Sequence, residues 1–158
     1  MTRILLTVCV LTLVVPTAAL AQSNANLQFR LEADGMPPIL FTSCRGIGSA
    51  SEVIEVREGN SGAVLKTPGR TSYANVVCSR PVAFDSTLFE WRKQVEDGLP
   101  GMRKTFTLAL LDRNKVMKAW KFARGWPVKW ELSELDAAKN EVAIETIEIA
   151  HEGLALSP

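Results

Sequence analysis

The feature that most constrains this fold is a single amphipathic helix in a chain otherwise made of short strand-like segments. Apolar side chains recur there at spacings of four, three and four residues, which is the period of one helical face. These side chains are Phe84, Leu88, Trp91 and Val95. Burying such side chains is worth about 1.5–3 kcal/mol each, so a sheet is expected to lie beneath this face of the helix.

Both ends of this helix carry sequence signals, which place it from about Thr87 to Asp97. Asp85 or Thr87 is expected to cap its start, and Glu90 stands where it would complete a capping box with Thr87. Gly98 supplies the residue that adopts the left-handed conformation at a helix end. The pattern therefore predicts one helix of about three turns.

The remaining apolar patterns predict about seven or eight strands. The first, Leu27 to Ala33, alternates apolar and polar residues as a half-buried strand does. The others are expected at Ile39 to Cys44, at 53–67 as a hairpin, and at Tyr73 to Arg80, Thr105 to Leu111, Val116 to Arg124, Trp126 to Trp130 and Glu141 to Ala150, with a tight turn at Asp112 to Asn114. These elements predict a mainly β fold, a small antiparallel β-barrel or sandwich of two packed sheets with one flanking α-helix and an extended hairpin arm.

Two of these strands carry signs of irregular pairing. Pro127 lacks a backbone N–H, so its strand is expected at a sheet edge or at a bulge. In the last strand, Val142 and Ile144 stand on one phase, and Ile147 and Ile149 stand on the other. This phase change predicts a bulge, or a strand that is covered first on one face and then on the other.

The hairpin at 53–67 is predicted to be an arm that projects from the body. Val53, Ile54 and Val56 lead into it, and the segment from Ala63 to Thr67 leads out. Its tip, from Arg57 to Gly62, is charged and rich in glycine. Such a tip does not pack into a hydrophobic core, so we expect a long hairpin or a loose arm.

The first 21 residues have the pattern of a secretory signal peptide. Arg3 is followed by an apolar run from Ile4 to Val15 and by a small-residue cleavage site at Ala19-Leu20-Ala21. The apolar run is shorter than the roughly 20 residues that a membrane-spanning helix needs. We expect a signal peptide at 1–21, a flexible N-terminus at 22–26 and a domain at 27–156. The protein is then exported, to the periplasm or to the outside of the cell.

Export would place Cys44 and Cys78 in a compartment where disulfides persist. Two interpretations stay open: a bridge, worth roughly 3–4 kcal/mol of stability, or two buried thiols that pack as small apolar side chains. His151 is the one histidine, has no nucleophile motif near it, and is expected to close the last strand. The sequence predicts no catalytic residue, no metal site and no cofactor.

Charge excludes one class of partner. Arg3 is the only charged residue of the leader, so the remaining basic side chains balance the 17 acidic ones. A protein without net positive charge does not bind nucleic acid through bulk electrostatic attraction. No specific nucleic-acid site is predicted either.

Five motifs follow one another along most of the chain from residue 27 to residue 156. They are EVREG (55–59), KTPGRTSYAN (66–75), LFEWR (88–92), WPVKW (126–130) and NEVAIETIEIAHEGL (140–154). In these motifs and in their order, the chain resembles tail tube proteins of contractile bacteriophage tails and related injection systems. Five motifs in register are more specific than any one of them.

The resemblance implies a small β-barrel of two packed sheets with a flanking helix, similar to the secreted ring proteins of the type VI system. Family members form sixfold rings that stack into a hollow tube, and the family implies no catalysis. The implied partners are other copies of the chain, with sheath or baseplate proteins as further partners. By the same resemblance the arm carries the contacts between subunits and between rings, at Glu55, Arg57, Glu58, Lys66 and Arg70.

Two features differ from the usual family pattern. Tail tubes usually assemble in the cytoplasm without a leader, and the cysteine pair stands where apolar strand residues are usual. Either a tube-like protein is used outside the inner membrane, or an upstream start site adds a spurious leader and assembly is cytoplasmic. The alternative function is an exported monomeric β-barrel that binds a small ligand, which predicts an apolar pocket with convergent polar groups.

Overall fold

The computed structural model describes residues 26–57, 64–136 and 141–157. Ten strands and one helix lie in these residues. In chain order they are β1 Leu27–Ala33, β2 Ile39–Phe41, β3 Ser43–Arg45, β4 Ser49–Arg57, β5 Val64–Tyr73, β6 Val76–Pro81, α1 Thr87–Glu96, β7 Lys104–Asp112, β8 Lys115–Leu132, β9 Ile144–Ala150 and β10 Gly153–Ser157. The expected signal peptide at 1–21 lies outside the described residues.

Eight strands form one antiparallel sheet in the order β2-β1-β7-β8-β9-β6-β3, with β10 paired to β8. The 18-residue strand β8 carries this sheet around the core. Its first half pairs with β7 and β10, and its second half pairs with β9. The halves pack like a sandwich without closing a barrel. The predicted mainly β fold with one helix is confirmed.

The core lies between the halves of the sheet, and α1 covers it. Leu88 and Trp91 on α1 are buried, and Trp91 Nε1 donates a hydrogen bond to the Met102 carbonyl at 2.8 Å. Val95 is half-buried. The predicted apolar face of the helix is wrong at Phe84, which is fully exposed because it precedes the first helical turn.

The ends of α1 agree in part with their predicted signals. Ser86 is the N-cap residue, and its hydroxyl contacts the Glu90 carboxylate, so the capping box predicted for Thr87 is wrong. Asp85 Oδ1 accepts the backbone N–H of Thr87 at 3.3 Å. Gly98 has a φ of 64° and ends the helix as predicted. In the part of the chain that the structure describes, no helix has the length and apolar character needed to cross a membrane.

The strand β8 is continuous where the sequence predicts two strands, at 116–124 and at 126–130. Arg124 has a φ of 53° at the junction, and the pairing with β9 shifts register between Pro127 and Lys129. Of the two placements predicted for Pro127, the structure shows the bulge. The strand lies between β7 and β9 and is not at a sheet edge.

The last predicted strand divides into a regular strand and one that the sequence did not predict. β9 buries Glu145, Ile147 and Ile149 on a single phase, and it pairs with β6 without a register shift. The apparent phase change arises because a charged residue, Glu145, occupies an inward position. Val142 precedes β9 and is exposed. β10 then adds an unpredicted strand beside β8.

Candidate functional site

The arm is a two-stranded antiparallel sheet of β4 and β5, which pair with no other strand among the described residues. It is longer than the predicted 53–67, because pairing begins with Ser49 opposite Tyr73 and continues to Arg57 opposite Val64. Every residue of β4 is exposed. The arm therefore projects from the body, as the sequence predicts.

The strand register gives the arm one apolar face and one mixed face, where Val53 and Val64 accompany the charged residues, because residues directly opposite each other point to the same side. Val56 opposes Leu65, and Ile54 opposes Thr67. We call Ile54, Val56 and Leu65 the apolar arm face; they are 50%, 47% and 49% exposed. An isolated two-stranded hairpin is marginally stable in water at best. The described part of one chain supplies nothing to cover this face.

The other face carries most of the residues that the resemblance implies as contacts. Glu55 and Lys66 are direct cross-strand partners, and Arg57 follows Glu55 on the same face. Arg70 is exposed beside the register shift near the root of the arm, apart from the other three. Glu58 lies outside the described residues. The arm thus brings Glu55, Arg57 and Lys66 together.

The chain enters the arm through residues 46–48 and leaves it through residues 74–75, and we call these two connections the neck. Gly46 has a φ of 81°. A Cβ added to Gly46 would lie 2.0 Å from the carbonyl oxygen of Asn75. Both the conformation and the close approach require glycine at this position. The two sides of the neck are therefore in direct backbone contact.

Hydrogen bonds hold the exit side of the neck. The Ala74 N–H donates to the Gly48 carbonyl at 3.1 Å, and Asn75 Nδ2 donates to Glu148 Oε1 at 2.7 Å. His151, which follows β9, places its Nε2 3.0 Å from the Ala74 carbonyl oxygen. The histidine thus braces the root of the arm.

Cys44 and Cys78 are direct cross-strand partners between β3 and β6. Their Cα atoms are 4.1 Å apart and their sulfurs are 1.98 Å apart, which is bonding distance. Cys44 precedes the arm and Cys78 follows it. The pair therefore lies where the two stretches of chain that lead to the neck run side by side.

An ion network lies on the body side of β6. Arg80 and Glu145 are 7% and 4% exposed, and Arg80 Nε donates to Glu145 Oε2 at 2.7 Å. Arg80 Nη2 donates to Asp85 Oδ1 at 3.1 Å, and Trp130 Nε1 donates to Glu145 Oε1 at 2.8 Å. The hydrogen bond from Arg80 lowers the pKa of the Asp85 carboxyl.

A groove of about 490 Å³ lies beside β2 and the connection from β6 to α1. Apolar residues such as Pro38, Leu40 and Pro81 line it, together with Arg80 and Asp85. These two charged groups are paired with each other. The charged groups of this groove thus neutralise each other, which does not favour the ligand-binding alternative with its convergent polar groups.

Comparison with known proteins identifies the family of this chain. Residues 25–155 match the model of a family described as T4-like virus tail tube protein gp19. This chain belongs to that family. No match was found among curated protein sequences. The identification that the five motifs suggest is therefore confirmed, and it places the chain among structural tube proteins.

Solved structures share the fold of this tail tube family member. A chain of an extracellular contractile injection system, the PVC sheath-tube complex in its extended state, is 22% identical with a TM-score of 0.70, covering 82% of this chain and 88% of that one. A chain of the anti-feeding prophage baseplate is 22% identical with a TM-score of 0.68, covering 83% and 91%. Hcp1 from Salmonella typhimurium is 15% identical with a TM-score of 0.53, covering 82% and 91%. Identities this low establish the fold alone.

Proposed function

We propose that residues 27–156 form the subunit of a hollow tube, in which copies of this chain assemble into rings and the rings stack. The exposed apolar arm face carries this proposal. Ile54, Val56 and Leu65 are about half exposed on a ribbon whose strands pair with no other strand of the described chain. Burying such side chains is worth about 1.5–3 kcal/mol each. Neighbouring copies of the subunit would supply the cover.

The symmetry of a tube fits such an arm. Rings require head-to-tail contacts, in which one surface of a subunit meets a different surface of the next. The arm is one such surface, and the body strands that it would touch are the other. The charges at its implied contacts then set the orientation of the neighbouring subunit more than the affinity of the contact. These contact residues are Glu55, Arg57, Glu58, Lys66 and Arg70.

Sheath or baseplate proteins are the further partners that we propose for an assembled tube. The support is the likeness of the fold to chains of a sheath-tube complex and of a baseplate. These partners would meet the outside of a tube or its end, so they would bind the assembled form and not the isolated subunit.

Sedimentation velocity of the chain purified after export tests the self-assembly proposal. The expected result is a concentration-dependent series of species larger than the monomer, because each new contact covers apolar arm faces. A single monomeric species over the whole accessible concentration range would contradict it. Added salt should weaken assembly only partly, because the apolar contribution is not screened.

We also propose that the chain is exported with its leader removed after Ala21 and that Cys44 and Cys78 are joined in the exported protein. The support is the leader pattern and the placement of Cys44 and Cys78 directly opposite each other on neighbouring strands. Mass spectrometry of the protein from its own cells, digested without reductant, tests both points. We expect an N-terminus at Gln22 and a linked pair of cysteine peptides. An intact leader with two free thiols would instead support cytoplasmic assembly.

A further inference from the structure

The direction of the arm depends on its neck, because β4 and β5 pair with no strand of the body among the described residues. The exit side of the neck leads into β6, a six-residue strand that pairs with both β9 and β3. Asn75 Nδ2 donates to Glu148 of β9, and His151 Nε2 lies 3.0 Å from the Ala74 carbonyl oxygen, so both contacts fasten this side to the body. The exit side is therefore anchored by the body itself.

The entry side of the neck touches the exit side, through the hydrogen bond from the Ala74 N–H to the Gly48 carbonyl, but it has less direct hold on the body. It continues from β3, which has three residues, lies at the edge of the sheet and pairs only with β6. Ser43 and Arg45 are exposed, and Cys44 is half-buried. A strand this short that buries so little apolar surface opens easily. The bond from Cys44 to Cys78 is the covalent tie at its centre.

The cysteine pair faces an open groove on one side. Cys78 is fully buried, but Cys44 lines an open groove of about 290 Å³ together with Ser43, Arg45 and Ser79. A small dithiol can enter a groove of this size and attack the Cys44 sulfur. Exchange would then proceed through a mixed disulfide at that sulfur.

We propose that the Cys44–Cys78 disulfide is a redox latch that fixes the entry side of the neck and with it the direction of the arm. Opening the latch breaks one S–S bond, and two electrons and two protons from a dithiol convert the sulfurs to two thiols. The dithiol becomes a disulfide. In the opposite direction, a disulfide-bearing oxidoreductase of the export compartment re-forms the Cys44–Cys78 bond, and its own disulfide is reduced to two thiols. The latch rests on the proposed function, because the direction of the arm matters for assembly only if the arm contacts neighbouring copies.

Hydrogen exchange of the dilute monomer, with and without dithiothreitol, tests the latch independently of assembly. Reduction is expected to speed amide exchange in residues 43–48 by about tenfold or more. Without the bond, the short edge strand β3 can separate from β6 while the rest of the sheet stays folded. Strands β7, β8 and β9 should keep their protection. Unchanged exchange in residues 43–48 would overturn the latch. A uniform loss of protection in all strands would also overturn it, since the bond would then stabilise the whole domain.

The variant Cys44→Ala/Cys78→Ala checks that the effect comes from the bond and not from the reductant. It should show the same local exchange as the reduced protein and should not respond to dithiothreitol. At equal concentration, the oxidised protein should assemble and the reduced protein and the variant should not. Equal assembly of all three would overturn the latch as a control of assembly. If no form assembles, the proposed function fails. The hydrogen-exchange comparison still shows whether the bond fixes the entry side of the neck.

Discussion

Replacing the apolar arm face by threonine is expected to prevent assembly while leaving the subunit folded. The variant is Ile54→Thr/Val56→Thr/Leu65→Thr, which keeps β-branched or strand-compatible side chains on the arm. Each replacement removes an apolar contribution of about 1.5 kcal/mol from the contact with a neighbouring copy. Three such losses weaken one contact by about a thousandfold. Sedimentation velocity should then show monomers where the unmodified protein shows larger species.

A matched control uses three exposed apolar residues of the body, in the variant Val82→Thr/Leu99→Thr/Val142→Thr. Val82 and Val142 flank the end of β6 farthest from the neck, where the Val82 N–H donates to the Ala143 carbonyl. This variant should assemble like the unmodified protein. If the arm variant assembles equally well, the apolar arm face is not a subunit contact. Circular dichroism should show the same folded strands in both variants.

Replacing Arg80 by alanine is expected to lower the free energy of unfolding by about 3–5 kcal/mol, the usual effect of removing one partner from a buried ion pair. The Glu145 carboxylate would stay in its buried position without its guanidinium partner. Urea unfolding, followed by tryptophan fluorescence, measures the change. The double variant Arg80→Met/Glu145→Leu should recover most of the loss, because no uncompensated charge then remains in the core.

The exposed ion pair of Lys129 and Glu131 is the control for Arg80. Lys129→Ala should change the free energy of unfolding by about 1 kcal/mol or less, because both side chains are largely in solvent. A loss in Arg80→Ala no larger than that in Lys129→Ala would contradict the role of the buried network. Failure of the double variant to recover stability would assign the loss to packing and not to charge.

The pKa of Asp85 gives the same network a pH dependence. Its folded-state pKa is lowered, first by the hydrogen bond from Arg80. Its contribution to stability is therefore present above the ordinary aspartate pKa of about 3.9 and is lost as the pH falls through the lower folded value. Because the Asp85 side chain is 44% exposed, the contribution is modest. Arg80→Ala should therefore reduce the dependence of the free energy of unfolding on pH below about pH 4.

Local signals were sufficient for the parts of the fold that depend on near neighbours in sequence. Leu27–Ala33 alternates and forms β1, Gly98 ends α1, and the turn after β7 has positive φ angles at Arg113 and Asn114. Each of these follows from the backbone preferences of a few residues. The helix position and the turn were therefore predictable to within about one residue.

Features that depend on contacts between residues far apart in the sequence could not be predicted from local patterns. Glu145 points inward because Arg80, 65 residues away in sequence, neutralises it, so the last strand showed a false change of phase. Phe84 fits the helical period but lies before Ser86, where the helix begins. The short strand β10 was missed because its pairing with β8 comes from the tertiary fold.

The candidate site was predicted in part. The hairpin pattern and the family resemblance placed Glu55, Arg57 and Lys66 on the arm, and the register puts them on one face. The apolar face opposite them was missed, although Ile54 and Val56 alternate with the charged residues in the sequence. That alternation indicates two faces, but only the register shows that Leu65 joins the same face and that the body leaves it uncovered.

Electron microscopy of the purified, oxidised protein at high concentration tests the central claim most directly. The account predicts rings and hollow tubes of stacked rings, with the arm of each subunit lying against another copy and the apolar arm face buried. Particles that stay single, with the arm free in solvent or folded back onto its own body, would contradict the claim that identical copies complete this fold.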